Sequence, residues 1–426
     1  MRKAPARPAN SSSSATPLIA LGVIAIGAAF YHRSAACAAL GVVLLAMPGL
    51  LFFMLWRSLR GVCVERQAPR SAFTGDRVTV RLLIRNGSSW PIFLPRVTDV
   101  FPPDEHELKD VLFPFRVEPG ETLEESYKAE CNLPRGIYEL GPTVAVLSDP
   151  LGWFQVRKVF HDTRPFKVYP QYREIGAREE NGSATSPVFE EIARSLIGDS
   201  TEIFAVREYR IGDPLRRVHW GLTAHRGFPV VREFAHNTVG DLCIFLDLHR
   251  QSLVGVGRGS SLEHSVKLAA SLAAHALRRG FRVEVAGQGK TALQAPLAAG
   301  PGQLQVVLDA LVGARPDGDV PLSTLIAGRA RGLEAGSRVV IPVSAQVRDS
   351  GDLETQILAL KRSGVHVVVL VFDATFKNLE EIHGNGRSVE EYLAFLGEVG
   401  IEAHRVPCGA DLAQVFSDLG QISGGR

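Results

Sequence analysis

Leu242-Cys-Ile-Phe-Leu-Asp247 is a run of five apolar residues that ends in a carboxylate. Short uninterrupted apolar runs rich in β-branched and aromatic side chains describe strands buried on both faces. Residues 337–344 and 365–373 repeat the pattern, and residues 281–286 and 401–407 complete the set. Helical stretches lie between them: residues 262–279, amphipathic and closed by Gly280, and residues 353–362, ended by Gly364. Strands alternating with helices predict a doubly wound α/β domain over residues 236–426, with its parallel sheet covered on both faces. Ligands of such sheets sit beyond the carboxyl ends of the strands. Asp247 falls there, and it is the one position with an architectural argument for function.

The stretch just upstream is dense in charge: Arg207-Glu-Tyr-Arg-Ile-Gly-Asp-Pro-Leu-Arg-Arg-Val-His-Trp-Gly-Leu-Thr-Ala-His-Arg226. Gly212-Asp213-Pro214 is a turn with proline placed to start a helix. Guanidinium groups offer fixed donor forks to carboxylate or phosphate, so the arginines suit an anionic partner. The alternative is that they pair with Glu208, Asp213 and Glu233 and pin the segment to its own domain. The charges alternate and form no single basic face. Residues 171–235 as a whole read as a connector carrying this segment.

Residues 61–170 follow a different period. Arg77-Val-Thr-Val-Arg-Leu-Leu-Ile-Arg85 alternates polar and apolar, and Asn86-Gly87 ends it with a turn signal. Further strands are expected near residues 113–117, 122–131, 143–147 and 166–169. Turn residues at intervals of roughly ten suit an antiparallel β-sandwich. It carries no recognisable chemistry, and Trp153 reads as packing at a turn.

The N-terminus announces a membrane anchor. Residues 1–16 form a polar, serine-rich tail without enough apolar surface to order itself. Two apolar runs follow, residues 17–30 and 35–56, the second 22 residues without a charge. At 1.5 Å per residue the second suffices for a hydrocarbon core of ~30 Å, whereas the first is short. Together they predict a transmembrane helical hairpin over residues 17–56. Arg2, Lys3 and Arg7 precede it, Arg57 and Arg60 follow it, and the turn carries only Arg33. That bias puts both ends in the cytoplasm of an inner-membrane, multi-pass protein. Three rivals are a cleaved signal or lipoprotein box at Ser34-Ala-Ala-Cys37, a buried soluble hairpin, and the same anchor inverted.

Composition removes several functions. The 426 residues hold 47 basic and 45 acidic side chains, a net charge of +2, which argues against a nucleic-acid binder. Five cysteines without short-range pairing argue against a zinc ribbon or a disulfide scaffold. Gly287-Gln-Gly-Lys-Thr291 has the look of a phosphate loop, but the glycine that motif requires upstream is Glu284 here, and no helix is suggested afterwards. His219, His225 and His236 are too irregularly spaced for one metal-binding face. His249 stands alone near Asp247.

The order of these parts resembles the bacterial "domain of unknown function 58" family. Its matching pieces are Arg135-Gly-Ile-Tyr-Glu-Leu-Gly-Pro142, Asp149-Pro-Leu-Gly152, Val168-Tyr-Pro170 and the segment from Arg207 to Trp220. After Trp220 the family usually has Lys and then Ala-Arg, where this chain has Gly221-Leu-Thr-Ala-His-Arg226. The resemblance implies a von Willebrand factor A-like second domain, a fold that often binds a metal through Asp-x-Ser-x-Ser. Here only Asp247 matches; His249 and Gln251 replace the serines, and Ala345 follows Ser344 where a further Asp is expected. One carboxylate is a poor site for a hard cation, so neither metal nor other cofactor is expected. The resemblance also implies company, namely a MoxR-type AAA+ ATPase and a transglutaminase-like membrane protein. The expected function is a non-enzymatic, membrane-anchored adaptor that binds its partner through Arg207, Arg210, Asp213, Arg216, Arg217, His219, Trp220 and Asp247. The alternatives are an extracytoplasmic cell-envelope binding module and a hydrolase combining Asp213 or Asp247 with His219.

Overall fold

The computed structural model describes residues 16–114, 116–172, 203–208, 220–234, 240–255, 257–344, 350–372 and 389–406. The chain divides into two compact units, Met1–Val168 and Tyr169–Arg426.

The first unit begins with two apolar helices, α1 (Thr16–His32) and α2 (Ala35–Gly61). Ser34 separates them and caps α2, its hydroxyl accepting from the Cys37 amide. The helices approach closely where glycine removes a side chain. A Cβ on Gly41 would lie 2.5 Å from Ile26, and one on Gly22 would lie 2.9 Å from Leu45. Of the two, only α2 is long and apolar enough to cross a bilayer by itself; α1, with 17 residues, is shorter. The polar tail expected at residues 1–16 lies outside the described residues up to position 15.

Helix α2 runs directly into an all-antiparallel region. Its strands are β1 (Val62–Gln67), β2 (Ser71–Phe73), β3 (Arg77–Asn86), β4 (Ile92–Val100), β5 (Leu108–Leu112), β6 (Arg116–Val117), β7 (Thr122–Glu130), β8 (Gly136–Leu140), β9 (Thr143–Ser148), β10 (Gln155–Phe160) and β11 (Arg164–Tyr169). They form sheets ordered β1-β3-β7, β10-β9-β4-β5 and β2-β11-β8, with β6 beside β4. One core joins them, including Val80, Leu82, Ile84, Ile92, Phe101 and Phe166. In β3 the inward residues alternate strictly with outward Arg77, Thr79 and Arg81, as the period of two requires.

Two details depart from the pattern-based expectation. Asn86 is no hairpin corner: β3 pairs with β1 and β7, not with the next strand. Asn86 is instead fully buried, donating to the carbonyls of Trp90 and Val117 and accepting from Ser88. Strand β4 contains Pro95, which normally argues against a paired strand. A register shift between Phe93 and Arg96 against β9 accommodates it.

The second unit opens with β12 (Ile203–Glu208) paired antiparallel to β13 (Val230–Phe234), with helix α3 (Trp220–Arg226) between them in sequence. The expected connector over 171–235 therefore contains regular structure of its own. The α/β domain follows: β14 (Asp241–Leu246), α4 (Ser261–Arg278), β15 (Arg282–Gln288), β16 (Ala292–Ala298), α5 (Gln303–Val312), α6 (Leu322–Ala330), β17 (Arg338–Ser344), α7 (Ser350–Arg362), β18 (His366–Phe372), α8 (Val389–Glu398) and β19 (Glu402–Val406).

The six strands lie in the order β16-β15-β14-β17-β18-β19, all parallel except β16. All six residues of β14 are buried, which is what helices on both faces of a sheet produce. Cys243, Phe245, Ile341 and Val369 pack on one face with Ile326 of α6, Ile357 of α7 and Leu396 of α8. Helices α4 and α5 lie against β14, β15 and β16. The edge strand β16 escaped the sequence reading because it carries Pro296, which an edge tolerates.

Candidate functional site

Strand β14 leads to β15 on one side, and the chain later returns on the other side as β17. The carboxyl ends of β14 and β17 thus flank the point where strand order reverses, the usual ligand crevice of an open α/β sheet. A shallow, narrow cleft lies there, and its lining includes Asp247, Ser252, Ser261, Ser265, Pro342 and Phe372. Asp247 is the residue after β14, half-buried, and its Oδ1 accepts the backbone N–H of His249 at 3.0 Å.

The loop after Asp247 is fastened to the loop before α6. Gly318 donates to Leu248 at 2.9 Å and accepts from Arg250 at 3.1 Å. A Cβ at Gly318 would lie 2.2 Å from the Gln288 carbonyl, so only glycine fits this crossing. Arg250 and Asp319 add an exposed ion pair. The imidazole of His249 faces its own chain, Nδ1 accepting from the Gln251 amide at 3.2 Å.

Hydroxyls enter the cleft from positions the sequence reading did not select. Ser261 accepts from the Val254 amide at 3.1 Å, and Ser265 donates to the Ser261 carbonyl at 2.8 Å. A signal for them exists in Ser260-Ser-Leu-Glu263, the spacing of a capping box. Ser260 does cap α4, accepting from the Glu263 amide. Reading that cap would have started the helix at Ser261 and put its first turn at the carboxyl edge.

Among the described residues, no three His, Cys, Asp or Glu side chains converge on a point that would hold a metal ion. Cys243, in mid-strand on β14, is held as a thiol: burial, reinforced by the nearby Glu284 carboxylate, pushes it up to about 12. A thiol so far from ionisation is no nucleophile at neutral pH. The Gly-Gln-Gly-Lys-Thr stretch forms the end of β15 and the turn into antiparallel β16, with the Lys290 amide donating to Asp317 at 2.9 Å. It is a hairpin turn and not the strand-to-helix loop that cradles phosphate.

Of the eight residues expected to bind a partner, Asp247 and Trp220 are placed in detail. Trp220 begins α3 with 66% of its surface exposed. Arg207 lies on β12, opposite Val231 of β13. Arg210, Asp213, Arg216, Arg217 and His219 lie outside the described residues, as does the Ala345 position.

Residues 205–381 match the family model described as "Protein of unknown function DUF58". The match supports the DUF58 family. It takes in β12 through β18 and leaves the helices α1 and α2 and the β domain outside. No curated protein sequence matches the chain. Among solved structures, the chain is similar to a β-glucosidase from Listeria innocua in complex with laminaribiose, at 12% identity and a TM-score of 0.16, covering 25% of this chain and 16% of that one. A β-glucosidase from Erythrobacter marinus gives 12% identity and 0.15, covering 25% and 15%. The sporulation control protein Spo0M from Bacillus subtilis gives 15% and 0.17, covering 35% and 58%. The chain thus spans well under a fifth of each glucosidase, and likenesses at these scores carry no argument about activity.

Proposed function

We propose that this protein is a non-enzymatic, membrane-anchored adaptor whose α/β domain, of the von Willebrand factor A-like kind, grips a partner protein at its carboxyl edge. The observation that carries this reading is the edge itself: among the described residues its cleft is lined by one carboxylate, His249 is turned to its own loop, and Cys243 is held as a thiol. Such an edge suits recognition better than catalysis, which needs a nucleophile within reach of a base. The strand order, third-second-first-fourth-fifth-sixth with the third reversed, supports the von Willebrand factor A-like assignment. Trp220 adds an exposed indole of the type that anchors protein interfaces.

In this reading α1 and α2 both cross the inner membrane as a hairpin, and both soluble units face the cytoplasm. The partner is a MoxR-type AAA+ ATPase, accompanied by a transglutaminase-like membrane protein, as the family resemblance implies. Arg216 and Arg217 supply donors for its acidic surface. The test is purification of the tagged full chain in mild detergent. An AAA+ ATPase should co-purify with the native chain and be lost from an Arg216→Glu/Arg217→Glu variant of unchanged yield. Absence of any ATPase from the native sample would sink the adaptor reading.

A further inference from the structure

Helix α2 does not end in a flexible linker; the β domain is built onto its last turns. The Gly87 amide donates to the Gly61 carbonyl at 2.9 Å, and a Cβ at Gly61 would lie 2.5 Å from the Ser88 nitrogen. Lys158 of β10 donates to the carbonyls of Val62 at 2.8 Å and Leu59 at 3.4 Å, satisfying the helix end with a cation where the dipole favours one. Whatever holds α2 therefore also fixes the orientation of the β domain.

Two loops of that domain lie beside the apolar part of the helix. The Phe154 ring meets Phe52 edge-on, with centroids 5.7 Å apart. Phe52 lies four residues before Trp56, about 6 Å further into the apolar stretch. Arg60 stacks its guanidinium 3.7 Å from the Trp56 ring, the aromatic-and-cation arrangement of a membrane–water boundary. Loop 149–154 thus reaches at least to the depth of that boundary. Trp90 and Leu151 on the two loops, and Leu94 near the start of β4, are exposed. A narrow apolar cleft, lined in part by Leu51, Leu55, Pro91 and Phe93, runs between this part of the β domain and the helix.

Both loops are rigid by construction. Buried Asn86 and Ser88 hold the carbonyl of Trp90. Buried Asp149 accepts from the amides of Leu151 at 3.0 Å and Phe154 at 2.5 Å, so its charge is consumed within the turn. Exposed Arg57 and Arg60 flank the rim, which suits an anionic leaflet; Arg116, over the Phe93 ring, is already paired with Glu118 at 2.7 Å.

We propose that this rim, loop 87–91 with the start of β4 and loop 149–154 beside the end of α2, beds into the interfacial layer of the membrane, so that the β domain lies on the lipid surface. The proposal rests on α2 crossing the membrane. It adds a second contact, made by the β domain itself.

The test uses the full chain in nanodiscs made with bromine-labelled phospholipids. In variants that retain one tryptophan each, the others replaced by Phe, emission from Trp56, Trp90 and Trp153 is read against unlabelled lipid. The proposal expects all three to be quenched, Trp90 and Trp153 comparably to Trp56. Quenching of Trp56 alone overturns the rim contact and leaves the anchor standing. Quenching of none overturns both. A spin label at Leu151→Cys reads the same depth with every tryptophan in place: greater access to oxygen than to a water-soluble nickel complex supports the proposal, and the reverse overturns it.

Discussion

In the β domain Arg66 and Asp99 meet with neither side chain in water; in the α/β domain Asp241 and Glu284 each meet an arginine that keeps part of its surface solvated. Arg66 and Asp99 have side-chain exposures of 1% and 0%, bonded through Nε at 2.9–3.0 Å and Nη2 at 2.5 Å. Thr143 accepts from Arg66 and Tyr127 donates to Asp99 at 2.6 Å, while Arg66 also donates to the Asp162 carbonyl at 3.3 Å and has the Asp162 carboxylate 3.7 Å away. By contrast Arg282, on Asp241, is 43% exposed, and Arg329, on Glu284, is 35% exposed. A strand buried on one face can turn a charge inward only when every lone pair and proton finds a partner. The central strands of the α/β sheet are buried on both faces and stay mostly apolar; Asp241 stands at the start of β14, and Glu284, within β15, is reached by the partly solvated Arg329.

The comparison predicts its own breaking points. Asp99→Ala strands a buried guanidinium and should lower β-domain stability by about 3–5 kcal/mol, whereas replacing both partners with Arg66→Met and Asp99→Leu should restore much of it. Denaturant titrations of the full chain, monitored by β-domain tryptophans, measure both. In the α/β domain the damaging change is a cavity: Ile341→Ala, at a fully buried position, should cost about 2–5 kcal/mol. Arg329→Met leaves the mostly buried Glu284 carboxylate without its cation and should cost about 1–3 kcal/mol.

Acid separates the two domains further. Burial holds the His264 imidazole below its ordinary value, with Lys267 adding to the effect against a bond to the Ser260 carbonyl. A depressed value means that the unfolded chain takes up the proton first. The contribution is therefore complete above about pH 6.5 and is lost as the pH falls below it. Asp104 of the β domain is also depressed: burial opposes ionisation, but Lys109 and the amides of Glu130 and His106 outweigh it. Its contribution persists above the ordinary carboxylate range and disappears only as the pH falls through that range. Thermal unfolding at pH 7.5 and 5.5 should therefore weaken the α/β domain while sparing this β-domain contribution, and His264→Gln should reduce the drop. The smallest effect belongs to Asp247→Ala. Losing the hydrogen bond it accepts from the His249 amide should cost about 1 kcal/mol, alongside reduced recovery of the proposed partner.

The sheet around Asp247 was legible because residues 242–246, 339–343 and 367–372 are continuous apolar runs, buried on both faces. The end of β14 gave Asp247 its place at the crevice with no further information. The serines of the cleft were not legible in that way, since Ser261 and Ser265 matter through helix phase and Ser252 through a loop. Strand β4 was hidden by Pro95, and the role of Asn86 by its likeness to a turn residue. The joint between α2 and the β domain depends on Lys158 reaching back almost a hundred residues in sequence, a contact no local pattern encodes.

We propose an adaptor held at the membrane with both soluble units inside the cell. Single cysteines at exposed Thr122 and Thr291, in a background freed of the native cysteines, report the side directly when intact cells meet an impermeant thiol reagent. The account predicts protection of both positions in intact cells and labelling of both after lysis. Labelling of either position in intact cells would contradict it.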